Sequence, residues 1–239
     1  MKKLLLIAMV GVLAGSAFAE DDEISAERFW TPVQLNLASP IGLPWADRDV
    51  YGLRMNLFYG HSVDLVGLDL GIVGAVRGSV SGLQMNAYNH VEGSVCGVQF
   101  GPFANYVVKK NIGLQFAGIL NWGLDDGIGA QIAMFNLNGA YIGAQFGFWN
   151  SASALTGFSL GVMNTSSDCT GCSIALVNQA GNLHGFQLGF INLATGHSDG
   201  FQLGVFNGAN DLSGVQLGFL NLNCAGSVPA LPFLNIHFR

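Results

Sequence analysis

The sequence contains little charge. Only 10% of its 239 residues are Asp, Glu, Lys or Arg, whereas a typical soluble domain carries about 25%. Basic residues are the scarcest, and none occurs from residue 111 to residue 238. Phosphate contacts made by Lys and Arg supply most of the affinity for nucleic acids. The composition therefore excludes nucleic acid as a partner, and it suits contact with lipid better than contact with water.

The sequence also lacks an apolar run long enough to cross a membrane as a helix, which takes about 20 residues. Its N-terminal apolar stretch, Leu4–Leu13, follows two lysines and precedes the small-residue site Ala17-Phe18-Ala19. This order is typical of a cleaved secretory signal at residues 1–19. We expect an exported mature chain that begins at Glu20 and is located in the outer membrane or at the cell surface. The periplasm or secretion is the alternative.

Catalytic and metal-binding patterns are lacking as well. The sequence contains no nucleophile elbow, no phosphate loop and no Ser–His–Asp context, and the adjacent Asp125 and Asp126 are typical of a turn. No histidine has a second ligand at metal-binding spacing, and the aspartates near turns lack the spacing of calcium-binding β-rolls. We therefore predict no enzyme activity, no catalytic residue, no cofactor and no metal. The residues considered are His61, His90, His184, His197, His237, Asp64, Asp69, Asp199 and Asp211.

Cysteine is rare, with four residues in the chain. Cys169 and Cys172 form a C-x-x-C motif, which is found in small disulfides, redox pairs and half metal sites. We predict a disulfide across a turn for this pair. Cys96 and Cys224 lie in or beside segments between repeats, so a four-cysteine zinc site stays open as an alternative.

A tandem repeat fills most of the chain. The stretch GFQLGFIN, Gly185–Asn192, returns as Gly200–Asn207 and Gly214–Asn221, and twelve copies begin at a glycine defined here as position 0. The copies are spaced 14 to 16 residues apart. Such a period indicates that one structural unit is used many times. The leading glycines are Gly52, Gly67, Gly82, Gly97, Gly113, Gly129, Gly143, Gly157, Gly171, Gly185, Gly200 and Gly214.

Within each copy, apolar and polar residues alternate. Positions 1, 3 and 5 are predominantly apolar, position 2 is Gln in eight copies, and position 4 is Gly, Ala or Asn. A period of two indicates β-strands, since successive side chains point to opposite faces of a sheet. The segments between copies are rich in Gly, Asn and Asp, which suit tight turns. We therefore predict an all-β fold of about fourteen short strands.

Two architectures fit these strands. In the preferred one, the strands form an antiparallel meander that closes into an outer-membrane-type β-barrel, with the apolar face toward lipid and Gln lining a lumen. In the alternative, each copy is one coil of a parallel β-solenoid, with the apolar positions in the dry core and Gln facing water. Trp30, Trp45, Trp122 and Trp149 would form an interfacial belt in the barrel, and strand-end packing accounts for them equally well.

The repeat unit resembles a family of bacterial surface-repeat proteins, built of tandem GLQLGLVN-like copies behind a signal peptide. The resemblance covers Gly52–Asn221, and it implies an envelope or cell-surface location with no established activity. The first copies depart from the motif, because Arg54 and Asp69 replace Gln while Tyr59 and Gly74 replace Asn.

These observations predict one mature domain with a non-enzymatic role. We expect an acidic leader and N-terminal flank at residues 20–51, the repeats at 52–226, and an irregular last copy or strand at 227–239. The predicted function is that of a structural, surface or pore-type envelope protein, with membrane lipid or envelope components as partners. The alternative is a soluble or surface-attached solenoid that acts as a binding or adhesion module.

Overall fold

The structure is a computed structural model that describes residues 29–44, 48–226 and 228–238. The predicted signal at 1–19, Trp45 and the acidic leader lie outside this part of the chain. The described residues form fifteen strands and no helix, which confirms the all-β prediction. The strands are β1 Trp30–Ala38, β2 Ile41–Leu43, β3 Asp49–Ser62, β4 Leu65–Val76, β5 Val80–Val91, β6 Val95–Gly101, β7 Ala104–Val107, β8 Asn111–Ala117, β9 Leu120–Gly123, β10 Gly127–Ile132, β11 Phe135–Phe146, β12 Trp149–Leu160, β13 Met163–Ile174, β14 Val177–Asn223 and β15 Ala230–His237.

The repeats stack as coils of a parallel β-solenoid. Strands β11, β12, β13 and the start of β14 pair in parallel, and Gly143, Gly157, Gly171 and Gly185 are in register. The same parallel register joins β3 to β4 and β4 to β5. The preferred antiparallel barrel is therefore wrong, and the solenoid alternative is correct. In a meander, the chain reverses its direction at every turn. In this structure successive copies run in the same direction, and the same repeat position of each copy lies in register with that of the next.

Each coil has two faces joined by two bends. In β12, residues 149–152 form one face, which we call face B, and residues 154–160 form the other, face A. Ser153 at the bend between them has no register partner. The chain then leaves β12 at Leu160 and enters β13 at Met163, so only two residues separate face A from the next face B. A coil of 14 residues therefore needs no second long strand, because one bent strand supplies both face B and face A.

The interior has the opposite polarity to the one predicted for the solenoid alternative. Gln at position 2 and Asn at position 7 are buried, and 33 buried polar or charged residues outnumber 19 buried hydrophobic ones in the described part of the chain. Positions 1, 3, 5 and 6 point outward. The expectation that these apolar positions fill the core of a solenoid is therefore wrong. The apolar interior consists of Leu, Val and Ala ladders such as Leu155, Leu183 and Leu212.

Hydrogen-bonded ladders make the polar interior stable. The Nδ2 of Asn178 donates to the Oδ1 of Asn192 at 2.9 Å, and this contact continues along the ten asparagines from Asn89 to Asn221. Glutamines pair in the same way, as between Gln202 and Gln187 at 2.9 Å. A buried amide costs free energy only when it lacks a partner. Along these two rows, parallel and in-register stacking supplies the partners from the neighbouring coil.

The glycine at position 0 is required by the close approach of successive coils. A Cβ on Gly157 would lie 2.2 Å from the carbonyl oxygen of Gly143, and Gly157 has a φ of +134°. An L side chain fits neither the space nor the backbone conformation.

Both ends of the stack carry antiparallel strands. Strand β2 folds back on β1, and β15 pairs antiparallel with the last coil of β14. Pro40 and Pro44 flank β2, while Pro232 lies within β15. Proline removes a backbone donor, so these strands are poor templates for further pairing.

Candidate functional site

An apolar ridge runs the length of the solenoid. It is formed by the side chains at positions 3, 5 and 6 of the twelve repeats, from Met55 to Leu220, and we call it the apolar edge. Positions 3 to 6 hold no charged residue in any repeat. Its crest is position 5, where exposure reaches 55% at Phe148, 61% at Leu176 and 67% at Phe219. The crest residues are Leu57, Ile72, Ala87, Pro102, Gly118, Met134, Phe148, Val162, Leu176, Phe190, Val205 and Phe219.

The apolar edge is a sharp corner with a paired backbone. Gly161 and Val162 make the two-residue turn between β12 and β13. The Gly161 amide donates to the Ile174 carbonyl at 2.9 Å, while the Val162 and Met163 amides donate to the Phe148 carbonyl at 3.0 Å. The N–H groups of this corner are thus bonded to the coils on either side. The edge therefore presents apolar side chains, and the backbone N–H groups beneath them already donate hydrogen bonds to adjacent coils.

The asparagine ladder holds this corner from inside. Besides its bond to the next asparagine, Asn178 donates to the Leu188 carbonyl at 2.9 Å, the last face A residue before the following corner. Asn150 and Asn207 make the same bond to Leu160 and Leu217 at 3.0 Å. Each asparagine therefore ties one coil to the corner of the next, which keeps the corners aligned.

The charged residues lie at the opposite side of the coils. Apart from Arg54 and Asp69, each charged residue in the described part of the chain lies within five residues before a repeat glycine, a region that we call the polar edge. That region contains the bend opposite the apolar edge, as Ser153 shows for β12. The solenoid therefore carries its exposed charges on one edge, in the coils before Gly129 and after Gly157. The polar-edge residues are Arg48, Asp49, Asp64, Arg77, Glu92, Lys109, Lys110, Asp125, Asp126, Asp168, Asp199 and Asp211.

A buried ion pair replaces the amide ladders in the first coils. Arg54 and Asp69 occupy position 2 and are fully buried, with Nη2 2.6 Å and Nε 2.8 Å from the two carboxylate oxygens. Arg54 also donates to Ser62 and to the Ala75 carbonyl. An irregularity in β3 places Gly60, rather than Tyr59, opposite Gly74 at position 7. A Cβ on Gly74 would clash with the Asp69 carboxylate, so this glycine leaves room for it. Asp69 is an interior residue and not a solvated one.

The four cysteines are free thiols in the structure, so the disulfide between Cys169 and Cys172 remains a prediction. Cys169 lies in register with Leu155 and Leu183 of the interior, and burial raises the pKa of its thiol to about 11. Cys172 lies at outward position 1 and is partly exposed. Cys96 and Cys224 are exposed.

The structure brings together histidines and aspartates that the sequence does not connect. His197 contacts Asp199 through Nε2 at 2.8 Å and Asp211 through Nδ1 at 3.1 Å, while His184 lies 3.3 Å from Asp199. The hydrogen bond to Asp199, aided by the one to Asp211, raises the pKa of His197 above its ordinary value. The cluster links three successive coils at the polar edge. His184 and Asp199 are one coil apart in sequence, as are His197 and Asp211, which is why spacing along the chain misses the cluster.

The remaining predicted residues do not form a second site. Asp125 and Asp126 lie between β9 and β10, consistent with the predicted turn. His90 stacks on Tyr106 at 5.0 Å, and burial lowers its pKa. The described residues contain no group of three or more His, Cys, Asp or Glu placed to hold a metal ion. Of the tryptophans, Trp149 lies on the apolar edge at position 6, whereas Trp122 lies on face B.

A membrane-spanning helix is not found among residues 29–44, 48–226 and 228–238.

The chain was compared with protein-family models, with curated proteins and with solved structures, and none of them matches it. The resemblance to bacterial surface-repeat proteins therefore remains a prediction from the motif.

Proposed function

We propose that the protein is an exported, non-enzymatic β-solenoid scaffold that attaches to its target surface through the apolar edge. The observation that carries this proposal is the separation of an uncharged apolar ridge from a charged opposite edge. With strands about 4.8 Å apart, twelve coils give a ridge about 50 Å long and about 10 Å wide, or about 500 Å². Apolar patches of this size on a monomer are commonly binding sites.

The interior supports a scaffold role over a pore or an enzyme. Ladders of Gln, Asn, Leu and Ala occupy the space between faces A and B, where a pore would need a lumen. A groove of about 460 Å³ lies at the N-terminal end of the apolar edge, and its lining includes Leu37, Met55 and Leu57. A groove of this kind accepts apolar groups and holds no acid, base or nucleophile in its lining. The geometry therefore favours binding of an apolar partner without chemical conversion.

Retention of the mature chain on the cell envelope tests this proposal. The double variant Leu176→Asn/Phe190→Asn places two amides on the crest, where the side chains are 61% and 51% exposed. Leu193→Asn is the matched control, because Leu193 is 38% exposed but lies at position 8 of face B. We expect the crest variant to be released by a salt wash that leaves the wild type and the control bound. Equal retention of all three proteins would refute attachment through this edge.

A further inference from the structure

We infer that the apolar edge inserts into the acyl-chain region of one lipid leaflet, so that the solenoid lies lengthwise on the membrane with its polar edge in water. This inference rests on the proposed function, and it specifies the partner as lipid rather than protein. Three properties of the edge favour lipid: its shape, its backbone pairing and the position of the charges.

The shape of the edge suits a fluid partner. Because faces A and B meet through a turn of two residues, such as Gly161–Val162, the edge is convex. Even contact over the full ridge between this chain and a second copy, about 50 Å by about 10 Å, would bury only about 500 Å² per chain. A stable protein interface buries about 800 Å² per partner. Acyl chains, in contrast, cover both flanks of a ridge.

The bonded amides of the corner lower the cost of entering hydrocarbon. An unsatisfied N–H or C=O group in lipid is strongly unfavourable, which excludes most irregular turns from the membrane interior. Here the amides of Gly161, Val162 and Met163 are bonded to adjacent coils, and the same pattern recurs at Ala175, Val177, Phe190 and Ile191. The corner is a turn whose N–H groups need no water.

The distribution of side chains sets a shallow depth. Position 8 on face B is polar in three successive central coils, with Ser151, Thr165 and Gln179, whereas the last three coils carry Leu193, Gly208 and Leu222 there. Trp149, at position 6, donates its indole N–H to Thr165 at 3.2 Å, so the ring spans the boundary between the crest and this polar row. Tryptophan favours the interface between headgroups and acyl chains. At these central coils the boundary between acyl chains and headgroups therefore lies near position 8, and the charged polar edge stays outside the membrane.

The absence of charge at positions 3 to 6 predicts which lipids are needed. Surface binding that depends on Lys and Arg requires anionic lipid and weakens in salt. Insertion of an uncharged apolar edge requires neither. We therefore expect binding to neutral phosphatidylcholine vesicles that is unchanged between low and high salt.

Flotation of the purified mature chain with phosphatidylcholine vesicles tests the inference. We expect the wild type and Leu193→Asn to float in both low and high salt. The vesicle-bound fraction of Leu176→Asn/Phe190→Asn should fall by at least about tenfold, since two apolar side chains lose their transfer free energy. Far-UV circular dichroism checks that the variants keep the β-solenoid. Quenching of tryptophan fluorescence by brominated lipids gives a second readout, which should be strong for the wild type and weak for the crest variant.

The failures of the two proposals are distinguishable. A wild-type chain that stays unbound, while its retention on the envelope still depends on the crest, overturns lipid as the partner and leaves attachment through the edge intact. A crest-dependent dimer in light scattering, without flotation, likewise replaces lipid by a second copy. If the crest variant floats as well as the wild type, the inference is overturned, because insertion then uses another surface.

Discussion

Removal of one asparagine from the ladder should destabilise the solenoid far more than removal of an exposed amide. Asn178 is fully buried, and its Nδ2 supplies a hydrogen bond at 2.9 Å to the Oδ1 of Asn192. In Asn178→Ala that oxygen keeps no other side-chain donor, whereas the Leu188 carbonyl retains its bond from the Ala175 amide. One buried unsatisfied acceptor costs about 1–3 kcal/mol, and the lost side-chain volume adds about 1 kcal/mol. The Ser173 hydroxyl, which donates to Asn178 Oδ1 at 2.9 Å, also loses its acceptor. We expect a loss of at least about 2–4 kcal/mol.

Urea unfolding followed by far-UV circular dichroism measures this loss, with Gln179→Ala as the control. Gln179 is the next residue, but its side chain points outward and is exposed, so its removal should change stability by less than about 0.5 kcal/mol. Stability in a repeat array is shared between neighbouring coils. For Asn178→Ala, the urea midpoint of the single unfolding transition should therefore fall, or the transition should divide into two at this coil. Equal midpoints for the two variants would refute a stabilising role for the ladder.

Other predictions concern the glycine ladder, the ion pair and the histidine cluster. Gly157→Ala should prevent correct stacking, seen as loss of the β spectrum, while Gly208→Ala, whose added carbon would meet only a leucine methyl group, should fold. Asp69→Asn should cost about 3–5 kcal/mol in urea unfolding, because it leaves a buried guanidinium without its counter-charge; a change under about 1 kcal/mol would contradict this. His197 has a raised pKa, so its stabilising effect should be complete below its unfolded-state pKa near 6.5 and be lost as the pH rises through the folded-state value. The midpoint difference between wild type and His197→Gln should then shrink from pH 5.5 to 8.5, and a constant difference would exclude the link to Asp199.

The sequence predicts the strands of this fold well because they follow from local pattern. Alternation at period two and a glycine every 14 to 16 residues are visible without tertiary information, and both correspond to coils in the structure. The direction of pairing is not local. In the sequence, a strand followed by a short polar segment fits an antiparallel hairpin as well as a bent coil. The structure decides between them, because the parallel pairing of β12 with β13 continues on both sides of the bend and skips only Ser153.

The side of the strand that faces inward also depends on pairing. Gln at position 2 is expected to meet water when a single strand is considered, because an isolated buried amide is costly. In a parallel stack the same amide meets its own copy, as Gln99 meets Gln84 at 2.7 Å. The recurrence of Gln at position 2 and Asn at position 7 is the feature of the sequence that could have indicated buried amide ladders. Positions 3 and 5 of the apolar edge belong to the apolar set predicted from the sequence, which the solenoid alternative places in the core rather than on the surface, whereas position 6 is not part of that set.

A ladder of amides has a direction, and so its two ends need different partners. Each asparagine donates toward the C-terminus, as Asn178 does to Asn192, whereas each paired glutamine donates toward the N-terminus, as Gln202 does to Gln187. The two rows of side-chain dipoles are therefore opposed and partly cancel inside the same thin interior. Ordinary copies of the repeat cannot complete such rows at the ends of the array.

The irregular coils complete the rows with the required groups. At the N-terminal end, the Gln84 amide donates to Asp69, and Asn86 supplies a donor to the Oδ1 of Asn89. At the C-terminal end, Asn235 of β15 donates to the Oε1 of Gln216. In these three contacts, groups at the ends of the ladders pair with side chains outside the regular Gln and Asn rows. Termination of the polar ladders accounts for these deviations from the motif in the first and last copies. An array lengthened in the middle by whole repeats should therefore still fold. A chain truncated so that Asn235 is lost should not.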